Sequence, residues 1–178
     1  MKKGFAVLIV ICILLIGASA NAAETIDQLT QIVADALEQS EYIYTYDADY
    51  DAFDLEFSLN SSLASTDVTI YIYDDMVSVV AYSPLTVPSE YRDLMAKYLI
   101  LANNEMYYAQ FRMDYESGHV ACRSAQLVED VLPGIGEITV LLEMPLSYMD
   151  SYGDGIAQIS LSGADPDAAF QQARESMN

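Results

Sequence analysis

The sequence predicts an α+β domain: an antiparallel sheet with helices packed mainly on one face. Three observations lead there. Segments 24–39 and 88–104 place apolar residues at three- and four-residue spacing, the period of a half-buried helix. Between and after them lie short runs of tyrosine, valine, isoleucine and phenylalanine that alternate with period two, as half-buried strands do. One connection between such runs, Asp74-Asp75, has only two residues, which joins antiparallel neighbours.

The N-terminus reads as a targeting segment outside this fold. Lys2 and Lys3 form a positive start, Phe5 to Ile16 an apolar core, and Ala18-Ser19-Ala20 and Ala20-Asn21-Ala22 overlapping cleavage sites. The apolar run is shorter than the ~20 residues of a spanning helix and ends in small residues. Cleavage after Ala22 is expected, with an uncleaved anchor as the alternative. Residues 1–22 are then a signal peptide and 23–178 a single exported domain, periplasmic or secreted. Cys12 lacks the small residues that precede a lipoprotein cysteine, so no lipid anchor is expected.

In the first helix, Ile26, Leu29, Ile32, Val33, Ala36 and Leu37 form one stripe, and Thr25 with Gln28 has the spacing of a capping box. Strands are expected at Tyr42 to Tyr46, Phe53 to Leu59, Val68 to Tyr73 and Met76 to Tyr82, with Asn60 to Thr66 a polar loop. Pro88 opens the second helix. Its apolar face holds Tyr91, Leu94, Met95, Tyr98, Leu101 and Ala102, and left-handed Asn103-Asn104 would end it. A hairpin of Glu105 to Tyr115 and His119 to Ala125 follows, with Ser117-Gly118 at its tip. A third helix begins near Gly136 or Glu137, buries Ile138, Leu141, Leu142 and Tyr148 or Met149, and bends at Pro145. Ile156 to Leu161 reads as a short strand or extended link. Asp165 as N-cap and Pro166 in the first turn start the last helix.

Charge narrows the partners. The chain has 27 acidic and 7 basic residues, a net charge of −20, and two of the basic residues leave with the leader. Nucleic-acid binding needs clustered Lys and Arg to displace counterions, and those remaining are scattered along the sequence. Anionic lipid is disfavoured for the same reason. With Cys12 removed, Cys122 is alone, so no internal disulfide forms. It is either a buried strand residue or the site of an intermolecular bridge.

Catalytic patterns are absent from the sequence. His119 is the only histidine, which excludes a multi-histidine metal site within one chain, and no G-x-S-x-G, P-loop or G-x-G-x-x-G occurs. Asp47, Asp49 and Asp51 give the D-x-D-x-D opening of a calcium loop, but position six is Ala52 and position twelve Ser58 instead of Gly and Glu. No cofactor is expected. Calcium at these three aspartates is the weaker alternative, and the turn-like Asp150, Asp154 and Gly155 a still weaker one. Carboxylates are too many to single out a hydrolase pair, so an enzyme is the lesser reading.

Fourteen tyrosines without a tryptophan are the remaining signal. Tyr42, Tyr44 and Tyr46 share one face of their strand, and Tyr71 and Tyr73 share a face of theirs. Tyrosine suits both a core rim and a recognition surface. These five are the candidate binding residues.

The stretch Leu94 to Arg123, a helix ending in Asn103-Asn104 followed by a hairpin, resembles the YbjN family of small bacterial proteins, labelled sensory-transduction regulators. The tail is similar too: Tyr152, Gly155-Ile156, Gly163-Ala164-Asp165-Pro166 and Ala169, so the resemblance spans about Thr25 to Arg174. It implies a fold like the type III secretion chaperones, ordered helix, strands, helix, strands, helix. It also implies a non-catalytic, adaptor-like domain that binds a protein or peptide, with a homodimer as the simplest assembly.

Overall fold

The computed structural model describes residues 24–129 and 131–177. The expected leader, its cleavage site and Cys12 lie outside them. The described chain is α+β: a six-stranded antiparallel sheet with four helices. Helix α1 covers 24–39. Four strands follow: β1 (Tyr44–Asp47), β2 (Ala52–Ser58), β3 (Ser65–Ile72) and β4 (Met76–Thr86). A 3-10 turn (Ser89–Tyr91) leads into α2 (Arg92–Asn103), then β5 (Gln110–Met113), β6 (His119–Leu127), α3 (Ile135–Ser162) and α4 (Pro166–Ser176). The strand order is β1-β2-β3-β4-β6-β5, so β1 and β5 are the edges.

Registers divide the side chains between two faces. Phe53 opposite Ile70, Ile70 opposite Val79, Val79 opposite Ser124 and Phe111 opposite Cys122 define the inner face. Val68, Ile70, Val77, Val79, Val120 and Cys122 there are at most 1% exposed and meet Leu29 and Val33 of α1, Met95 and Tyr98 of α2, and Ile138, Leu142, Met149 and Ile156 of α3. α4 closes the layer through Ala169, Phe170 and Ala173, packed on α2 and α3. No helix is long and apolar enough to cross a membrane among the described residues.

Several expectations are corrected. Ile156 to Leu161 is the end of α3, which runs 28 residues. Valine- and isoleucine-poor flanks would have argued against a strand there; Gly155-Ile156 instead continues the helical stripe from Met149 and Tyr152. The helix does continue through Pro145, as expected. The proline ring nitrogen cannot donate to the carbonyl of Leu141, and the buried Ser124 hydroxyl of β6 donates there instead, at 2.6 Å. Thr25 lies within α1, which already includes Glu24, so it is not the cap. Asn104 keeps right-handed helical angles (φ −67°, ψ −18°). β5 starts five residues later than expected, because Glu105 to Ala109 forms a turn and loop. β4 runs on to Thr86 past an irregularity after Tyr82, where exposed Pro84 sits.

Three expectations hold in detail. Asp74-Asp75 is the tight β3–β4 turn, closed by the Tyr73 N–H donating to the Met76 carbonyl (2.8 Å). Asp165 Oδ1 accepts from Ala168 N–H (2.9 Å), with Pro166 in the first turn. Gly118 (φ +80°) turns the β5–β6 hairpin, and a Cβ there would strike the Val87 carbonyl.

Candidate binding surfaces

The five candidate tyrosines fall on opposite sides of the sheet. Tyr44 and Tyr46 share the inner face with Phe53, their rings 5.3 and 4.8 Å from its ring, and Tyr42 meets Phe57 edge-on at 5.2 Å. Their hydroxyls turn to the α1 rim and the β1–β2 turn: Tyr44 to Glu38, Tyr46 to Asp51 (2.9 Å). Partial burial and these carboxylates raise both phenol pKa values. This trio is a seam between α1 and the sheet edge. Tyr71 and Tyr73 stand on the other face, rings stacked 6.4 Å apart. Tyr82, not singled out from the sequence, joins them: its hydroxyl is 3.1 Å from that of Tyr71, and burial together with that contact pushes its pKa up to about 12.

Asp47, Asp49 and Asp51 build the β1–β2 turn. Asp47 Oδ1 accepts from Asp49 N–H (2.9 Å), and Asp51, at φ +47°, accepts from the Tyr46 hydroxyl. No group of three or more His, Cys, Asp or Glu side chains is placed to hold a metal ion among the described residues. Asp150 and Asp154 are not in a turn but one helical turn apart on α3, where they hold the β2–β3 loop. Asp150 accepts from Asn60 N–H (2.6 Å), Asn60 Nδ2 (3.0 Å) and Ser61 N–H (2.9 Å); Asp154 accepts from Ser62 N–H and Oγ. Partial burial raises the Asp150 pKa, but the donors from Asn60 and Ser61 outweigh it and the net shift is downward. Cys122 is fully buried on the inner face, and burial pushes its thiol pKa up, so it is not placed to bridge to a second chain. His119 is exposed at the start of β6.

The sheet's edges carry the most specific geometry. Antiparallel ladders alternate, so every second residue turns its N–H and C=O away from a given neighbour. Asp114 N–H donates to the His119 carbonyl, which fixes the β5–β6 phase and turns both backbone groups of Phe111 outward. The Asn103 side chain takes both, donating to the Phe111 carbonyl (2.9 Å) and accepting its N–H (2.7 Å). Asn103 therefore blocks the β5 edge. The same phase turns Ala125 and Leu127 of β6 toward the β5 side, but β5 begins at Gln110, opposite Arg123. Beyond it Ala125 has no backbone partner on that side among the described residues.

This open end of β6 borders a mainly apolar groove of about 360 Å³ lined by Tyr108, Ala125, Val140, Leu141 and Met144, together with Gly136, Gln126 and Glu137. Tyr107 and Tyr108 beside it are 89% and 73% exposed, and Leu127, Val131 and Val140 are exposed too. β2 also outruns its neighbour, since β1 starts opposite Leu55, but the surroundings there carry Asp54, Glu56 and Asp67. Sequence reasoning missed the β6 slot because nothing in a hairpin's pattern says where its shorter strand begins.

No known protein-family model matches the chain, and no curated protein matches it at a significant level.

Proposed function

We propose that this chain is an exported, non-catalytic binding domain of the YbjN type that takes an extended peptide segment of a partner protein as an added strand on the open end of β6. One observation carries the reading: outward-facing backbone groups of Ala125 and Leu127 lie next to a mainly apolar groove. Strand addition draws affinity from main-chain hydrogen bonds and specificity from pockets for alternate side chains. Tyr108, Val140, Leu141 and Met144 offer such a pocket on the helix side. The order helix, four strands, helix, two strands, helices accords with the expected family. A chain of this charge favours peptides without acidic residues.

A displayed library of short random peptides, panned on the purified protein, tests this. Binders should share alternating apolar residues. They should lose at least tenfold in affinity to Ala125→Pro, which deletes an N–H that the β4–β6 ladder does not use, and to Val140→Glu. No binder, or binders indifferent to both substitutions, would reject the reading.

A further inference from the structure

Among the described residues no helix covers the outer face of the sheet, and its charges are segregated. Across the register one row reads Thr45, Asp54, Thr69, Val80, Arg123, Gln110, from the β1 edge to the β5 edge. The next reads Glu56, Asp67, Tyr82, Ala121, Arg112. The β1–β3 half thus holds Asp47, Asp54, Glu56 and Asp67, while the β6–β5 half holds Arg112 and Arg123. Among the described residues, Lys97 pairs with Asp167, Arg174 with Glu105, and Arg92 holds the carbonyls of Val87, Tyr115 and Glu116. Arg112 and Arg123 have no carboxylate partner there; Arg123 holds only the Ser78 hydroxyl (2.8 Å) and the Met76 sulfur. In a chain of net charge −20, two such arginines on one face, beside a pair of touching tyrosines, are a distinct feature.

We propose that two copies of this chain associate face to face through this surface. A two-fold axis running along the strands between β3 and β4 keeps each row on itself. It lays β2 of one copy over β6 of the other, so that Asp54 faces Arg123. It also lays β1 over β5, which brings Arg112 within a long side chain's reach of Glu56 on the adjacent strand. Tyr71 and Tyr82 sit near the axis. Both ends are satisfied twice, as an isologous interface requires. Six strands about 4.8 Å apart and some eight residues of about 3.3 Å rise give roughly 750 Å² per copy, near the ~800 Å² of a standard interface. The two β6 slots lie at the edges of the paired sheets, so this assembly is independent of peptide binding.

The test is a charge swap read by analytical ultracentrifugation on protein expressed from the full-length sequence. Wild type should sediment as a dimer at micromolar concentration. Arg112→Glu with Arg123→Glu should be monomeric, and so should Asp54→Arg with Glu56→Arg. An equimolar mixture of the two variants should recover a heterodimer, because the acidic face then meets a basic one. Should Arg123→Glu disturb folding by circular dichroism, Arg112→Glu alone, at an exposed site, should still weaken the dimer at least tenfold. A monomeric wild type, or a dimer insensitive to both swaps, would overturn the proposal, and so would variants that do not recombine.

Discussion

Gly155→Ala and Gly136→Ala make the same chemical change on the same helix and should move stability in opposite directions. A Cβ on Gly155 would lie 2.6 Å from Cε2 of Tyr98 and closer still to its Cζ and hydroxyl oxygen. Tyr98 has no room to yield: its side chain is fully buried, and its hydroxyl donates to the Tyr152 carbonyl at 2.8 Å. Withdrawing the ring by about 1 Å would force overpacking worth about 1–3 kcal/mol. Breaking the buried hydroxyl's bond adds about 1–3 kcal/mol, against a helix-propensity gain of about 1 kcal/mol. The net expectation is a loss of about 3 kcal/mol, or roughly 6–12 °C in Tm for a domain of this size. Gly136, in the first turn of α3, would place its Cβ with nothing within 4 Å, so alanine there should be neutral or stabilising by up to about 1 kcal/mol. Urea unfolding followed by circular dichroism reads both as midpoint shifts at constant slope. A Gly155→Ala protein as stable as wild type would refute the close packing of α2 on α3.

Other expectations follow from single contacts. Asp150→Ala should destabilise by about 1–2 kcal/mol near neutral pH, a figure already reduced for solvent exposure. The depressed carboxylate pKa stabilises the fold above its unfolded value, about 3.9, and that contribution fades as pH falls through the folded value. The gap between variant and wild type should therefore narrow in urea melts at about pH 3; a constant gap would contradict the assigned role. Ser124→Ala should cost about 1–3 kcal/mol by leaving the Leu141 carbonyl without its donor, and Pro145→Ala should recover part of that loss by restoring the helical N–H. Additive effects in that double-mutant cycle would deny the compensation. Millimolar calcium should leave the Tm unchanged, since Asp47 and Asp51 serve the turn; a rise abolished by Asp49→Asn would reinstate the calcium loop.

The fold was legible where local chemistry is decisive. Period-two alternation placed β2, β3, β4 and β6, the Asp74-Asp75 turn fixed one hairpin, and Asp165-Pro166 marked the start of α4. It was least legible in α3. The segment expected as a strand or link at Ile156 to Leu161 is helix, and only the register that brings Ser124 under Leu141 shows how the helix passes through Pro145. The Asn103-Asn104 pair marks the right position for a different reason: Asn104 is not left-handed, and Asn103 clamps the backbone of Phe111, nonlocal in structure though eight residues away in sequence. Tyrosine alternation correctly grouped Tyr44 with Tyr46, yet alternation cannot say which face a helix will cover. Pairing with β2 put that group against Phe53 under α1 and left Tyr71 and Tyr73 outside. Arg112 and Arg123 look scattered in the sequence and become diagonal neighbours only in the β5–β6 ladder.

The open end of β6 is tested most directly by amide hydrogen exchange, read by NMR residue by residue. In the free protein the N–H groups of Ser124 and Gln126, which face β4, should be protected, while those of Ala125 and Leu127 should exchange readily with solvent. Adding a selected peptide should slow Ala125 and Leu127 to the protection of their neighbours. An Ala125 amide already protected in the free protein would contradict the account, and so would one that stays unprotected when the peptide is bound.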